Sequence, residues 1–304
     1  MGLWAYKLTD HRKVILMGAL FSGRGRSETR APAVAGTFYP GSPSSLRAMI
    51  DDFLAKAEKR PIDGKLMALI VPHAGYVYSG QVAASAYKQI QGMHFDTVVL
   101  MGVSHRSAIR GASVYQSGKY ETPLGTVDID SDLAEGLMAE GRIFGFQPGA
   151  HAIEHSLEVQ IPFLQCVLPD FRIVPILMGY WSEAVSSTVS DALAETINGK
   201  DVMLIASTDL SHYHPYNAAC ELDNIAISSI KSANIPQLMD DLNSGKCELC
   251  GAAPVITALM TAKKLGADSV EALQYANSGD VTGDKSDGVV GYFAAAVYRK
   301  TTEK

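Results

Sequence analysis

The sequence has few cysteines, no excess of basic charge and no long apolar run, and each shortage excludes a class of protein. Four cysteines in 304 residues are too few for a disulfide scaffold. A net charge of −6 gives no electrostatic reason to expect a nucleic-acid partner. No apolar run approaches the roughly 20 residues that span a bilayer. The 47% of apolar residues instead fits a globular protein with a substantial core.

Common cofactor and catalytic motifs are also missing. The sequence contains neither a GxxxxGK[ST] phosphate loop nor a GxSxG nucleophile turn. Its single CxxC, Cys247 and Cys250, lacks the second pair of ligands that a structural zinc site needs. A redox-active pair at these two positions is the alternative.

The N-terminal segment is read as an extension. His11, Arg12 and Lys13 precede the short apolar run VILMGALF, which loosely resembles a secretory signal. No small-x-small cleavage site follows this run, so we expect a cytoplasmic protein, with export as the alternative. We expect residues 1–30 to lie outside the fold and residues 31–304 to form one α/β domain.

Strand-like and helix-like patterns alternate along the rest of the chain. This alternation predicts an α/β fold of three layers, with a mainly parallel central sheet and helices on both faces. Residues 111–130 depart from this strand–helix alternation. Their apolar and polar residues alternate and are interrupted by a Pro/Gly turn, which predicts a hairpin. Pro175, inside the apolar run RIVPILMGY, indicates an edge strand or a local irregularity.

Two histidines follow successive strand-like runs and are 32 residues apart. His73 follows LMALIVP, and His105 follows DTVVLMGVS. About thirty residues is what one strand–helix–strand crossover needs, so both imidazoles should lie at the same edge of a parallel sheet. A single histidine after a strand is usually structural. Two in equivalent positions favour a metal site for zinc, copper or iron.

The residues alone leave the third ligand open. Asp209 follows a third apolar run and offers a carboxylate, although an Asx-turn would also explain it. Cys250 precedes Gly251 at an apparent helix start, where the helix dipole would favour a thiolate. His212, three residues after Asp209, is a candidate acid–base residue or a loop histidine bonded to backbone.

A further group of polar residues lies in HAIEHSLEVQ. Glu154, His155 and Glu158 come at a predicted helix start, where first-turn acids offset the helix dipole. The alternative is that they line the pocket formed by the strand ends.

Several sequence blocks together resemble the Memo family, known in prokaryotes as AmmeMemoRadiSam system protein B. The blocks, in order, are PAVAGTFYP, VPHAGYVYSG, GVSH, EHSLEVQIPFL, STDLSHY and CGAAP. The resemblance covers about residues 31–299. It implies a fold similar to class III extradiol ring-cleaving dioxygenases, which hold iron with two histidines and a carboxylate.

By the same resemblance, the ligands of this chain are His73, His105 and Cys250, with Asp209 and His212 beside them as catalytic residues. Tyr78 and Phe38 are implied to line the pocket, and some relatives carry Trp where this chain has Phe38.

The expected function is therefore that of a metal-binding protein with an iron or copper ion and a redox or oxygen-dependent reaction. A small molecule or a peptide would occupy the pocket. One rival is a module that binds a peptide or protein without catalysis. Another is an active extradiol-type dioxygenase, which a cysteine ligand makes harder to accept because activated oxygen can oxidise a thiolate.

Overall fold

Within residues 29–301, which the computed structural model describes, a nine-stranded sheet forms the middle layer. The strands are β1 (Thr29–Arg30), β2 (Gly64–Val71), β3 (Thr97–Val103), β4 (Ala112–Val114), β5 (Lys119–Thr122), β6 (Gly125–Asp128), β7 (Phe144–Gly145), β8 (Arg172–Met178), β9 (Val202–Ser207), β10 (His212–His214), β11 (Ser269–Asn277) and β12 (Val289–Lys300). The helices are α1 (Pro43–Lys56), α2 (Tyr76–Ile90), α3 (Ser131–Ala139), α4 (Pro148–Ile153), α5 (Ile161–Val167), α6 (Glu183–Ile197), α7 (Tyr216–Lys231), α8 (Ile235–Asn243), α9 (Ala252–Lys264) and α10 (Ser278–Thr282). A 3-10 helix, Glu158–Gln160, leads into α5.

The central strands of the sheet are parallel. The order is β10-β12-β2-β9-β3-β8-β4-β7, and β11 also pairs with β12. The four strands β2, β9, β3 and β8 run in one direction, whereas β12 and β4 flank them antiparallel. The predicted α/β class, with a mainly parallel centre, is confirmed.

Helices cover both faces because successive strand residues point to opposite sides. Leu69 of β2 and Ile205 of β9 face a core that α1, α2 and α5 complete. Their neighbours Ile70 and Leu204 face the opposite core, which α3, α6, α8 and α9 complete together with part of α7. These two buried cores give the three predicted layers.

The parallel centre also defines the edge where a site can form. β2, β9 and β3 are neighbours, so their carboxyl ends lie at one edge of the sheet. The loops 72–75, 208–211 and 104–111 leave from these ends. Open parallel sheets place their ligands at this edge.

The 111–130 segment contains the β5–β6 hairpin, as predicted, in a small separate sheet with β1. Pro175 is not at an edge: it lies in β8, between β3 and β4. The Pro175 carbonyl accepts the N–H of Tyr115, the residue just after β4. The Pro175 nitrogen, which has no proton to donate, faces the same side, where the pairing between β8 and β4 has ended. Of the two predicted alternatives, Pro175 therefore marks a local irregularity, the early end of β4, and not an edge strand.

The fold begins before residue 31. Thr29 and Arg30, expected in the extension, pair with β5, and Arg30 is buried. The export-like run and the rest of residues 1–28 lie outside the described residues. From residue 29 to residue 301, no helix is long and apolar enough to cross a membrane.

Candidate metal centre

His73 lies two residues past β2 and is completely enclosed. Its backbone N–H donates to Asp209 Oδ1 at 2.8 Å, which ties the end of β2 to the loop after β9. Its ring Nδ1 lies 2.9 Å from the hydroxyl of Ser207, and its Nε2 lies 3.2 Å from Cys250 Sγ. Burial, together with the neighbouring imidazoles of His155, His105 and His212, lowers the pKa of His73 well below its usual value. A neutral imidazole is the form that binds a metal ion.

His105 lies two residues past β3 and is held by Glu154. The carboxylate accepts the His105 backbone N–H at 2.7 Å and lies 2.9 Å from its ring Nδ1. Burial would raise the pKa of Glu154, but hydrogen bonds from His105 and from the backbone N–H of Ser156 outweigh it and bring the pKa to about 2. An ionised carboxylate accepts only, so the Nδ1 of His105 carries the proton and its Nε2 is free to act as a ligand.

Cys250 comes from the turn before α9, 177 residues after His73. Its sulfur accepts the backbone N–H of Asp209 at 3.2 Å. Gly251 makes this approach possible, because a Cβ there would lie 2.3 Å from the Ser207 carbonyl oxygen. Burial and the nearby Asp209 raise the pKa of the thiol, which outweighs the expected help from the helix start. A cation among these side chains would reverse that shift and favour the thiolate.

The three side chains meet at one place. Their ligand atoms all lie within 4.8 Å of one another. A four-coordinate ion with bonds of about 2.0–2.3 Å needs donors roughly 3.3–3.8 Å apart. His73 Nε2 and Cys250 Sγ, 3.2 Å apart, already stand near that spacing, and His105, on a loop and 31% exposed, has room to adjust. The donor set fits a soft or borderline metal ion.

Comparison with known proteins identifies the family of the chain. A family model described as Memo-like protein matches residues 30–296. The chain belongs to the Memo-like family. A MEMO1 family protein from Methanothermobacter thermautotrophicus is 39% identical over 276 residues, covering 86% of this chain and 98% of that protein. Another, from Methanosarcina barkeri, is 41% identical over 271 residues, covering 88% and 99%. The family resemblance expected from the sequence blocks is confirmed.

A solved structure shows the same fold at low sequence identity. The crystal structure of an uncharacterized protein from Escherichia coli K12 matches with a TM-score of 0.53 and 14% identity. The match covers 76% of this chain and 99% of that one. At this identity the likeness concerns the fold alone.

In this Memo-like protein, Asp209 lies beside the three candidate ligands and is already engaged. Its Oδ1 accepts the His73 N–H, and its Oδ2 lies 3.9 Å from His73 Nε2. Burial raises the pKa of Asp209 to about 7, although hydrogen bonds from the backbone N–H groups of His73 and Ala74 oppose the change. Asp209 therefore orients the His73 loop, whereas Cys250 is a candidate metal ligand.

His212 stands apart from the three candidate ligands. It begins β10, and its Nδ1 lies 2.8 Å from the Leu210 carbonyl oxygen, which fixes the ring. Burial lowers the pKa of His212, although its hydrogen bond to the Leu210 carbonyl opposes the change. This places a neutral histidine near the site, bonded to backbone as the simpler interpretation expected.

Aromatic and imidazole rings form one wall of the site. His155 stacks on His105 with ring centroids 4.6 Å apart, and Phe38 packs against His155 at the same distance. Tyr78, near the start of α2, is 43% exposed and lies beside the Phe38 loop at Gly75.

A second set of possible ligands, His105, Glu154 and His155, also lies within 4.8 Å. We consider it weaker because both Glu154 oxygens already accept hydrogen bonds. Oε2 accepts the His105 N–H, and Oε1 accepts the N–H groups of His155 and Ser156.

Glu158 does not line the pocket. It is fully buried and ion-paired with Arg30, and it accepts the backbone N–H groups of Ala33 and Val34 and the hydroxyl of Tyr39. It anchors the PAVAGTFYP block and so places Phe38 indirectly.

A cavity beside the candidate ligands was not predicted from the sequence. It has a volume of about 370 Å³ and reaches both His105 and Cys250. Apolar and aromatic side chains dominate its walls: Val103, Ile109, Tyr180, Trp181, Leu249 and Ala252. Trp181 and Tyr180 follow β8 at the same sheet edge as the histidines, and this placement was the signal that could have found them.

Proposed function

We propose that this Memo-like protein binds one iron or copper ion through His73, His105 and Cys250, and uses it in a redox or oxygen-dependent reaction. The observation that carries the proposal is the meeting of two imidazole nitrogens and one sulfur within 4.8 Å. Imidazole and thiolate together suit copper and iron better than magnesium or calcium. When bound, such an ion supplies electron transfer and Lewis acidity.

The side chains around these ligands support the same proposal. Glu154 accepts the Nδ1 proton of His105, which orients the ring and makes it a better ligand. Asp209 fixes the His73 backbone and donates its own N–H to Cys250 Sγ. His212 is proposed to move protons at the site, because its Nε2 makes no hydrogen bond to any residue of the described part of the chain.

The ligand of the site is proposed to be a small molecule or a peptide segment in the 370 Å³ cavity. His105 and Cys250 form one end of this cavity, so a bound molecule would lie against two of the proposed metal ligands. The partly buried Trp181 would shield part of that molecule from water, whereas Tyr180 is 98% exposed and would not.

A cytoplasmic setting belongs to the proposal. All four cysteines, Cys166, Cys220, Cys247 and Cys250, are free thiols in the structure. A reducing compartment would keep Cys250 available as a ligand.

Active extradiol-type cleavage is the second candidate and is less favoured. Such a site needs a carboxylate as the third ligand, and Asp209 is the nearest carboxylate to His73 Nε2, at 3.9 Å. One of its oxygens is already occupied by the His73 N–H, whereas Cys250 Sγ is closer, at 3.2 Å.

The test is metal content. Protein purified anaerobically without chelator should carry about one equivalent of iron or copper by elemental analysis, and His73→Ala and His105→Ala should lose it. His94→Ala is the matched control, since His94 is exposed and pairs only with Asp96. Full metal content in both site variants would refute the proposal by placing the ion elsewhere, and a wild type without metal would favour a metal-free binding module.

A further inference from the structure

We propose that the segment Glu154–Gln160 sets the proton position on both site histidines, acting directly on His105 and through Ser207 on His73. Glu154, Gln160 and Ser207 are positioning residues in this proposal. The proton placement is a property of the protein itself, and its consequence for metal affinity rests on the proposed function.

The proton count at Ser207 fixes the tautomer of His73. Ser207 Oγ lies 2.6 Å from the Ser156 carbonyl oxygen, 2.9 Å from Gln160 Nε2 and 2.9 Å from His73 Nδ1. A carbonyl oxygen only accepts, so the one hydroxyl proton must lie between Ser207 and Ser156. The hydroxyl oxygen then accepts from its other two neighbours, and His73 must carry its proton on Nδ1.

The opposite tautomer of His73, with the proton on Nε2, would leave two buried acceptor oxygens facing each other. If Ser207 donated to His73 Nδ1, its oxygen and that of Ser156 would lie 2.6 Å apart with no proton between them. Both residues are completely buried, so water cannot fill the gap. An unpaired buried acceptor is costly, and two facing lone pairs add repulsion.

Gln160 cannot rotate to accept the hydroxyl proton instead. Its Nε2 also donates to the Pro72 carbonyl at 3.0 Å, and its Oε1 accepts the Tyr87 hydroxyl at 2.8 Å. Turning the amide would place two acceptors together at Pro72. The side-chain amide is thus fixed as a donor toward Ser207.

The segment Glu154–Gln160 also fixes the proton position on His105. Glu154 Oε1, an acceptor only, lies 2.9 Å from His105 Nδ1. Both histidines therefore hold the proton on Nδ1 and present the lone pair of Nε2. One segment, through Glu154 at its start and Ser156 and Gln160 further on, produces two matched ligand nitrogens.

The test is the ring ¹⁵N spectrum of the metal-free, reduced protein at alkaline pH. His73, assigned by loss of its signals in His73→Ala, should show a protonated Nδ1 in the wild type. In Ser207→Ala part of that proton population should move to Nε2, toward Cys250 Sγ, because only the Ser207 backbone carbonyl is then left to hold it on Nδ1. Ser207→Thr, which keeps the hydroxyl, should restore the wild-type pattern.

Ser186→Ala is the control for removing a buried serine hydroxyl. Among the described residues its Oγ has no hydrogen-bond partner, so its loss should leave the His73 spectrum unchanged. A protonated Nε2 in the wild type, or an unchanged pattern in Ser207→Ala, would overturn the proposal.

Metal titration separates this proposal from the proposed function. Competition with a Cu(I) chelator under anaerobic conditions should show about 10–100-fold weaker binding for Ser207→Ala than for wild type. If the His73 proton moves to Nε2 in Ser207→Ala but the variant binds Cu(I) as tightly as the wild type, the proton position does not affect metal affinity and that part of the proposal is overturned. Absence of Cu(I) and Fe(II) binding in the wild type would defeat the proposed function while the ¹⁵N result still decided the tautomer.

Discussion

The two cysteines of the CxxC differ because of what surrounds each one. Cys247 packs in the core on the α6–α9 side of the sheet, where burial and neighbouring carboxylates raise its pKa to about 12. Cys250 Sγ instead lies 3.2 Å from His73 Nε2. We expect Cys250→Ala to lose bound metal and Cys247→Ala to keep it, at a cost of about 1–2 kcal/mol in stability for the small cavity. Elemental analysis of both variants, with unfolding curves, checks this; metal loss from Cys247→Ala alone would revive the redox-pair interpretation.

Changing Asp209 should weaken metal binding without abolishing it. Asp209→Asn keeps the shape of the side chain and an oxygen that can accept the His73 N–H, but removes the charge next to Cys250. We expect metal to be retained with affinity reduced by about 10–100-fold, as is usual when a residue that orients a ligand is changed. Chelator competition measures this. A complete loss of binding would instead make Asp209 a direct ligand and raise the dioxygenase interpretation above our own.

At the scale of elements, the strand ends were predictable and the contacts between loops were not. The positions of His73, Asp209 and His105 follow from apolar runs that end at fixed places, and parallel neighbours bring those ends together. Cys250 was left open by the residues alone, and the family resemblance selected it. The role of Ser207 depends on side-chain hydrogen bonds that no spacing reveals. Trp181 was missed because it follows β8, whose apolar run ends in no ligand-type residue.

The segment 154–160 also anchors the N-terminal block, and this gives a stability prediction. Glu158 and Arg30 are both buried, with side chains 0% and 3% exposed. Glu158→Gln would leave the Arg30 charge uncompensated, so we expect a loss of about 3–5 kcal/mol in the free energy of unfolding. Asp52→Asn is the control, because the exposed Asp52–Lys56 pair should contribute about 0.5 kcal/mol or less. Denaturant unfolding compares the two; similar small losses would show that the buried pair is replaceable.

At the scale of the whole molecule, a site assembled from distant parts of the chain links metal binding to folding. His73, His105 and Cys250 come from three loops that meet only when β2, β3, β9 and α9 are in place. An unfolded chain cannot bring them together, so the ion binds the folded state preferentially. At a free metal concentration of 100 times the Kd, this linkage adds about 2.7 kcal/mol of stability.

For a chain of 304 residues, that stabilisation should raise the melting temperature by about 4 °C. We expect the rise when metal-free protein is titrated anaerobically with Fe(II) or Cu(I), and its reversal by a chelator. His73→Ala should show no rise when metal is added, because it lacks one of three ligands. His94→Ala, with its exposed imidazole, should respond as the wild type does. An equal rise in His73→Ala would mean that the ion binds elsewhere, and the link between this edge of the sheet and metal binding would be lost.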